Sequence, residues 1–347
     1  MKVLIIQQKM IGDVLMSSIL FEAIRNEHPN AELHYVINSH TFPVVEQNPN
    51  IDKFHFITPE IEKSKSRFFG FIKTLKKERF DVAIDVYCKI GSTLMSYFSG
   101  AKKRIAYKKG YTSLFMTHPI ARIKEPQQGA SLAVENRLRL LEPLGIQYKP
   151  LVPKIFLTED EKNTAKSVLE SYAIDLLKPL FMISVLGSSD SKTYPKAYMA
   201  EVLDTIVDLK QDCQILFNYI PKQEKDAKAI YDLCSDTTKS HIYFDLYGKS
   251  LREFLAITSF CSAVIGNEGG ANNMAKALGI KTFTIFSPFI NRKNWFGDIE
   301  LENHEAVHLK EFLNFEKGEQ SAEVLYTQLK PEYVIPKLKG FLNHLKL

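Results

Sequence analysis

AVIGNEGGANNMAKALGIKTFTIFSP, residues 263–288, runs from a short apolar stretch through a glycine-bearing loop and a small-residue segment to a second apolar stretch. The pattern predicts a buried strand (263–265), a loop, a helix (272–278) and another buried strand (282–286). Gly269 and Gly270 are expected to take backbone angles closed to other residues and to let a ligand approach the main chain. A helix beginning there would aim unpaired N–H groups and the positive end of its dipole at the loop. In α/β proteins such a place holds phosphate or diphosphate. A plain strand-to-helix turn that needs glycine fits the stretch equally well.

The same alternation runs outward in both directions. In the first half, strands are predicted at 2–6, 32–37, 53–57 and 82–86, with helices at 13–27, 40–47, 68–78, 92–98 and 131–146. In the second half, strands are expected at 180–185, 214–217 and 241–244, and helices at 159–172, 195–209, 222–234 and 251–260. Alternating strands and helices with short connections argue for mostly parallel sheets covered on both faces. The prolines in 148–158, YKPLVPKIFLT, suggest a linker between two such halves. The expected divisions are 1–153, 154–330 and a terminal amphipathic helix, 331–347, packing back on the N-terminal domain.

Bulk composition narrows the function. The chain has 347 residues, 45% of them apolar and 24% charged, as in a globular protein of two ordinary domains. No apolar run approaches the ~18 residues of a membrane span, and the start has no signal-peptide pattern. Cys88, Cys213, Cys234 and Cys261 have no metal-ligand or paired spacing, which suits reduced thiols in a cytoplasmic protein. Two basic, aromatic stretches, SKSRFFGFIKTLKKERF (64–80) and AKKRIAYKKGY (101–111), fit an anionic membrane surface or an anionic acceptor, or simply a solvated face. No nucleic-acid recognition motif accompanies them.

Candidate site residues cluster after predicted strands. Gly12 and Asp13 follow the first strand, where ligands of open α/β sheets bind; helix capping is the other reading of Asp13. Asp85 and Lys89 close a later strand on the same edge, as ligand-orienting groups or as a strand-end turn. Gly187, Ser188, Ser189 and Lys192 combine amides, hydroxyls and a cation in one loop, a set able to hold phosphate oxygens. Glu268, Gly269, Gly270, Ala271 and Asn273 supply the second loop. Residues 287–298 carry the single tryptophan, Trp295, either facing a ligand or packing. His304-Glu305-Ala306-Val307-His308 matches the H-E-x-x-H zinc pattern, but that pattern requires a helix and a third ligand, and 306–309 reads as readily as an edge strand.

Three stretches together resemble the ADP-heptose:lipopolysaccharide heptosyltransferase family of bacterial glycosyltransferases (glycosyltransferase family 9). They are KVLIIQQKMIGDVLMSSI, SSDSKTYP and GNEGGANNMAKALGIKTFTIFSP, with FDVAIDVYCKIGS and the 131–146 helix in similar order and spacing. The resemblance implies a GT-B architecture: two Rossmann-like α/β domains whose parallel sheets face a central cleft. It implies inverting, metal-independent transfer of a heptose from ADP-heptose to a lipopolysaccharide core or related lipid-linked glycan, with no cofactor besides the nucleotide diphosphate sugar. Asp13 would be the general base. Ser188, Lys192 and the amides near Gly269–Ala271 would stabilise the departing diphosphate. The enzyme would work in the cytoplasm, peripherally on the inner face of the anionic membrane. Where the family has Asp-Thr-Gly the chain has Glu268-Gly269-Gly270, and Asn273 stands at the family's histidine; another nucleotide sugar, for a surface polysaccharide, is the alternative. A nicotinamide-dependent oxidoreductase is disfavoured because QQKMIGDV lacks G-x-G-x-x-G. A non-catalytic sugar-nucleotide binder is disfavoured by Asp13.

Overall fold

A computed structural model describes residues 1–298, 302–316 and 318–345. Its first sheet contains β1 (Lys2–Ile6), β2 (Glu32–Asn38), β3 (Lys53–Ile57), β4 (Val82–Asp85), β5 (Lys103–Tyr107) and β6 (His118–Ile120). Its second contains β7 (Leu180–Ser184), β8 (Gln214–Phe217), β9 (Ile242–Tyr243), β10 (Ala263–Asn267), β11 (Lys281–Phe286) and β12 (His304–His308). The first sheet is ordered β3-β2-β1-β4-β5-β6 and the second β12-β11-β10-β7-β8-β9. Every neighbouring pair is parallel.

Counted from their own first strands, both sheets have the same order, 3-2-1-4-5-6, that of dinucleotide-binding Rossmann domains. The chain moves outward from the first strand, then returns past it to lay down the fourth. Connections on the two sides of that junction leave in opposite directions, which opens a crevice at the carboxyl ends. The crevices lie between β1 and β4 and between β7 and β10. Central strands such as β1, KVLII, and β10, AVIGN, are buried along nearly their whole length. Continuous apolar runs rather than alternating ones follow from having helices on both faces.

The chain divides into two compact units, Met1–Phe156 with Lys293–Ile299, and Leu157–Arg292 with Glu300–Leu347. The terminal helix, Pro331–His344, departs from expectation. Its Val334, Leu338, Phe341 and Leu342 are buried in the same core as Phe181, Ile183 and Phe283, so it belongs to the second unit. Those positions recur every three or four residues and form one apolar stripe; the Phe341 and Phe283 rings lie 5.7 Å apart. The short segment 293–298 belongs to the first unit. Gly297 lets it lie on the 129–131 backbone, since a Cβ there would sit 2.4 Å from the Ala130 carbonyl carbon.

Other departures are local. The helix expected from Asp13 to Glu27 is two, Ile11–Ser17 and Ile19–Glu27. A 3₁₀ turn, Ser39–Val44, replaces the helix expected over 40–47, with Pro43 inside it. The basic stretch 101–111 contains β5, whose Ile105, Ala106 and Tyr107 are buried. Residues 304–308 form β12 on the edge of its sheet. Four residues of strand separate His304 and His308 by roughly 13 Å, too far for one metal. All four cysteines are buried and unpaired.

Candidate functional site

In the first unit the crevice beside β1 is a cavity of about 420 Å³. Asp13 lies in the first turn of the helix Ile11–Ser17 and does not cap it. Arg137 instead donates from Nη2 to Asp13 Oδ1 at 2.7 Å, from Nε to Ser17 Oγ at 3.0 Å and from Nη1 to the Ala133 carbonyl at 3.0 Å. The guanidinium is largely buried, whereas Asp13 keeps 37% of its side-chain surface. Among the described residues Oδ2 of Asp13 has no hydrogen-bond partner. Among the described residues Asp13 is the only carboxylate lining the cavity, beside Lys89, Lys109, Arg122 and Arg137. Arg122 lies 3.9 Å from the centre of the Tyr107 ring, and Lys109 Nζ donates to the Cys88 carbonyl at 3.0 Å. Trp295 lines the same cavity. One carboxylate among four cations suits a ligand that itself carries negative charge.

Asp85 is placed differently from the ligand-orienting reading. It is fully buried and accepts from Cys88 N at 2.8 Å, Ser92 Oγ at 3.0 Å and Thr93 Oγ1 at 3.3 Å. Burial pushes its carboxyl up to about 6. It organises the turn from β4 into the helix Ile90–Phe98, and that turn carries exposed Lys89 to the cavity. Gly12, one residue before Asp13, does not line the cavity.

In the second unit both candidate loops leave the β7/β10 junction. Gly187 is required, because a Cβ would lie 2.2 Å from the Lys192 carbonyl oxygen. Gly187 N donates to Thr193 Oγ1, and Thr193 Oγ1 to the Ser189 carbonyl, folding the loop on itself. Ser188 and Ser189 stay exposed and line a cavity of about 520 Å³ with Lys196, Lys222 and Gln223. Lys192 does not line that cavity; its Nζ lies 3.4 Å from Glu268 Oε1, an ion pair without hydrogen-bond geometry.

The loops are tied together by Asn267, which is 1% exposed. Its Oδ1 accepts from Tyr194 N at 2.6 Å, and its Nδ2 donates to the Ser184 carbonyl at 2.8 Å. Asn272 Nδ2 donates to the Asn267 carbonyl at 2.6 Å. The helix Gly270–Ala277 follows, with Ala271 and Asn273 in its first turn. Its leading amides have no intrahelical partner.

The glycines here act otherwise than expected. Gly269 has φ 161°, an extended conformation open to any residue. A Cβ on Gly269 would meet nothing, and one on Gly270 only Met274 Cε at 3.7 Å. Their bare backbone leaves open space at the helix start. In the 263–270 stretch the glycine the fold needs is Gly266, with φ +124° and Ser184 O 2.5 Å from where its Cβ would be.

Sequence reading missed Arg137, Lys109, Arg122 and Asn267. Glu135, Asn136 and Arg137 were the available signal. Three successive polar residues cover roughly 200° of a helix and cannot all share a solvent face. All three are buried: Glu135 accepts from the Gln127 and Gln128 amides, Asn136 bonds the Ile123 backbone, and Arg137 holds Asp13.

Comparison with known proteins agrees with this architecture. The family model Glycosyltransferase family 9 (heptosyltransferase) matches residues 68–293. Lipopolysaccharide heptosyltransferase 1 of Campylobacter coli is 20% identical over 301 residues, covering 85% of this chain and 86% of that protein. A glycosyl transferase family 9 structure from Veillonella parvula DSM 2008 superposes with TM-score 0.82 at 16% identity, covering 99% of this chain and 97% of that one. The E. coli ADP-heptose lps heptosyltransferase II structure does so with TM-score 0.75 at 17% identity, covering 100% of both. The two parallel six-stranded sheets with flanking helices are those of the GT-B fold. On the extent of the family match, the chain belongs to glycosyltransferase family 9, the heptosyltransferases.

Proposed function

We propose that the chain transfers a heptose from ADP-heptose, with inversion, to an anionic acceptor of the lipopolysaccharide-core type, and that it uses no metal for the transfer. The donor assignment is supported by the name of its E. coli structural neighbour. It is supported too by the open helix start at Gly269–Gly270 beside Lys192.

Asp13 takes the proton of the acceptor hydroxyl on Oδ2 as the hydroxyl oxygen bonds the anomeric carbon. The bond from that carbon to the diphosphate breaks with its electron pair on the leaving oxygen. Arg137, holding Oδ1, fixes the direction of the carboxylate. Lys192, Ser188 and the amides of Gly270 and Ala271 meet the charge that grows on the diphosphate, and such contacts act on rate as well as binding. Lys89, Lys109 and Arg122 hold anionic groups of the acceptor. Glu268, longer than the aspartate the family usually carries, favours a second reading in which the transferred sugar differs from heptose.

No helix among the described residues is long and apolar enough to cross a membrane. Work at the inner membrane surface is supported by the helix Lys65–Lys77, which shows Lys73, Lys76, Lys77 and a half-exposed Phe69 outward.

The observation that carries the proposal is Asp13, the one carboxylate of its cavity among the described residues, with Oδ2 free to accept a proton. Asp13→Asn should lower turnover of ADP-heptose about 10²–10⁴-fold, while the thermal shift produced by ADP stays as in the parent. Undiminished turnover removes Asp13 as the base.

A further inference from the structure

At the other edge of the first sheet, near the amino-terminal ends of β1–β3, lies a group of side chains the transfer reaction does not use. His34 on β2 and His55 on β3 meet with His34 Nδ1 and His55 Nε2 2.9 Å apart. Glu78, just after the helix Lys65–Lys77, brings a carboxylate to them; one ligand atom from each of the three lies within 4.8 Å of the others. We propose that His34, His55 and Glu78 form a binding site for a borderline divalent cation of the zinc class, separate from the Asp13 cavity. This rests on side-chain geometry alone and does not depend on the proposed reaction.

Two features support it. Glu32 Oε1 lies 2.8 Å from His34 Nε2. A proton on Nε2 donated to that carboxylate leaves the Nδ1 lone pair directed at the other two ligands. Metal-binding histidines are commonly fixed by such an outer carboxylate. Second, the rings are held in place. Phe80 packs edge-on against both, with centroids 5.1 Å from His34 and 6.3 Å from His55.

The donor set also selects among metals. Two imidazoles and one carboxylate leave a fourth tetrahedral position for water, an arrangement suited to zinc and poor for magnesium, which demands oxygen ligands. Tetrahedral zinc needs its ligand nitrogens roughly 3.3 Å apart, so the rings must part by only a few tenths of an ångström. Without metal, Glu78 is held by Lys2 at 2.6 Å and Lys53 at 2.5 Å. Lys53 is half exposed and Lys2 Nζ also pairs with Glu32 at 3.0 Å, so one ammonium has water and the other a second carboxylate when Glu78 turns to a cation.

The test is calorimetric titration of the chelator-treated full chain with zinc chloride and with magnesium chloride, alongside His55→Gln and Glu78→Gln, each checked for folding by circular dichroism. The expected result is one zinc per chain and no magnesium uptake. Each ligand variant should lose at least about tenfold in zinc affinity, and Glu32→Gln about tenfold through the outer carboxylate. A zinc-dependent rise in Tm should be present in the parent and absent from His55→Gln. Glu78→Gln alters a partly exposed group and keeps the test decisive if His55→Gln fails to fold. No saturable zinc uptake by the folded parent, or an affinity equal to the parent's in both ligand variants, overturns the proposal.

Discussion

Replacing Asn267 by alanine tests how the second unit holds its two loops together. The side chain is buried and makes two hydrogen bonds, from Tyr194 N and to the Ser184 carbonyl. In the alanine variant the Tyr194 amide is left buried without a partner, at a cost of about 1–3 kcal/mol. The Ser184 carbonyl loses one bond, worth about 0.5–1.5 kcal/mol. The sum, roughly 2–4 kcal/mol, corresponds to a fall of about 4–16 °C in the melting of a unit this size. Asn267→Asp separates hydrogen bonding from side-chain volume. Its carboxylate still accepts from Tyr194 N but sets an oxygen against the Ser184 carbonyl. A protonated carboxyl there can donate as the amide does. The folded-state pKa at that position is then raised, so its stabilising contribution is full below about pH 4 and is lost as pH rises. Urea denaturation across pH, followed by far-UV circular dichroism, should show Asn267→Asp nearing the parent in acid and falling away towards neutrality. At 20 °C, where both variants remain folded, each should bind ADP more weakly than the parent does. If Asn267→Ala stays within about 0.5 kcal/mol of the parent, or Asn267→Asp shows no acid recovery, Asn267 is not what ties the two loops together.

Two other outcomes follow from the first unit. Burial raises the Asp85 carboxyl from an ordinary 3.8 to about 6, so its contribution to stability is complete below about pH 4 and is lost as pH rises through about 6. The difference is about 3 kcal/mol; Asp85→Asn, with an amide that can serve Ser92 and Thr93, should flatten that loss in pH-dependent denaturation, and an unchanged profile refutes the assignment. Trp295 is the chain's single tryptophan and lines the Asp13 cavity, so an anionic acceptor analogue should change tryptophan emission, and Arg122→Ala should weaken that response. A signal that saturates equally well in Arg122→Ala excludes this cavity as the anion-binding side.

Much of the fold was legible because it rests on local chemistry. Short, continuous apolar runs such as KVLII and LFMIS read as strands buried on both faces, and their alternation with amphipathic helices leaves little but parallel sheets. The carboxyl-edge position of Asp13 and of the 187–192 and 268–273 loops follows from that order alone. Three conclusions were not legible, each because it depends on residues distant in the chain. The terminal helix joined the second unit because its apolar stripe fits the flank of β11, a match between surfaces that periodicity does not specify. Arg137 met Asp13 across 124 positions of sequence, where spacing carries no signal. His34 and His55 became neighbours only through the register of β2 against β3.

Element order and the edge that binds ligands were thus set by hydrophobic periodicity and turn chemistry, which act over a few residues. Which side chains share a cavity was decided by strand order and register. Those place groups within 3 Å that the chain separates by tens of residues, and only the packed molecule holds them there.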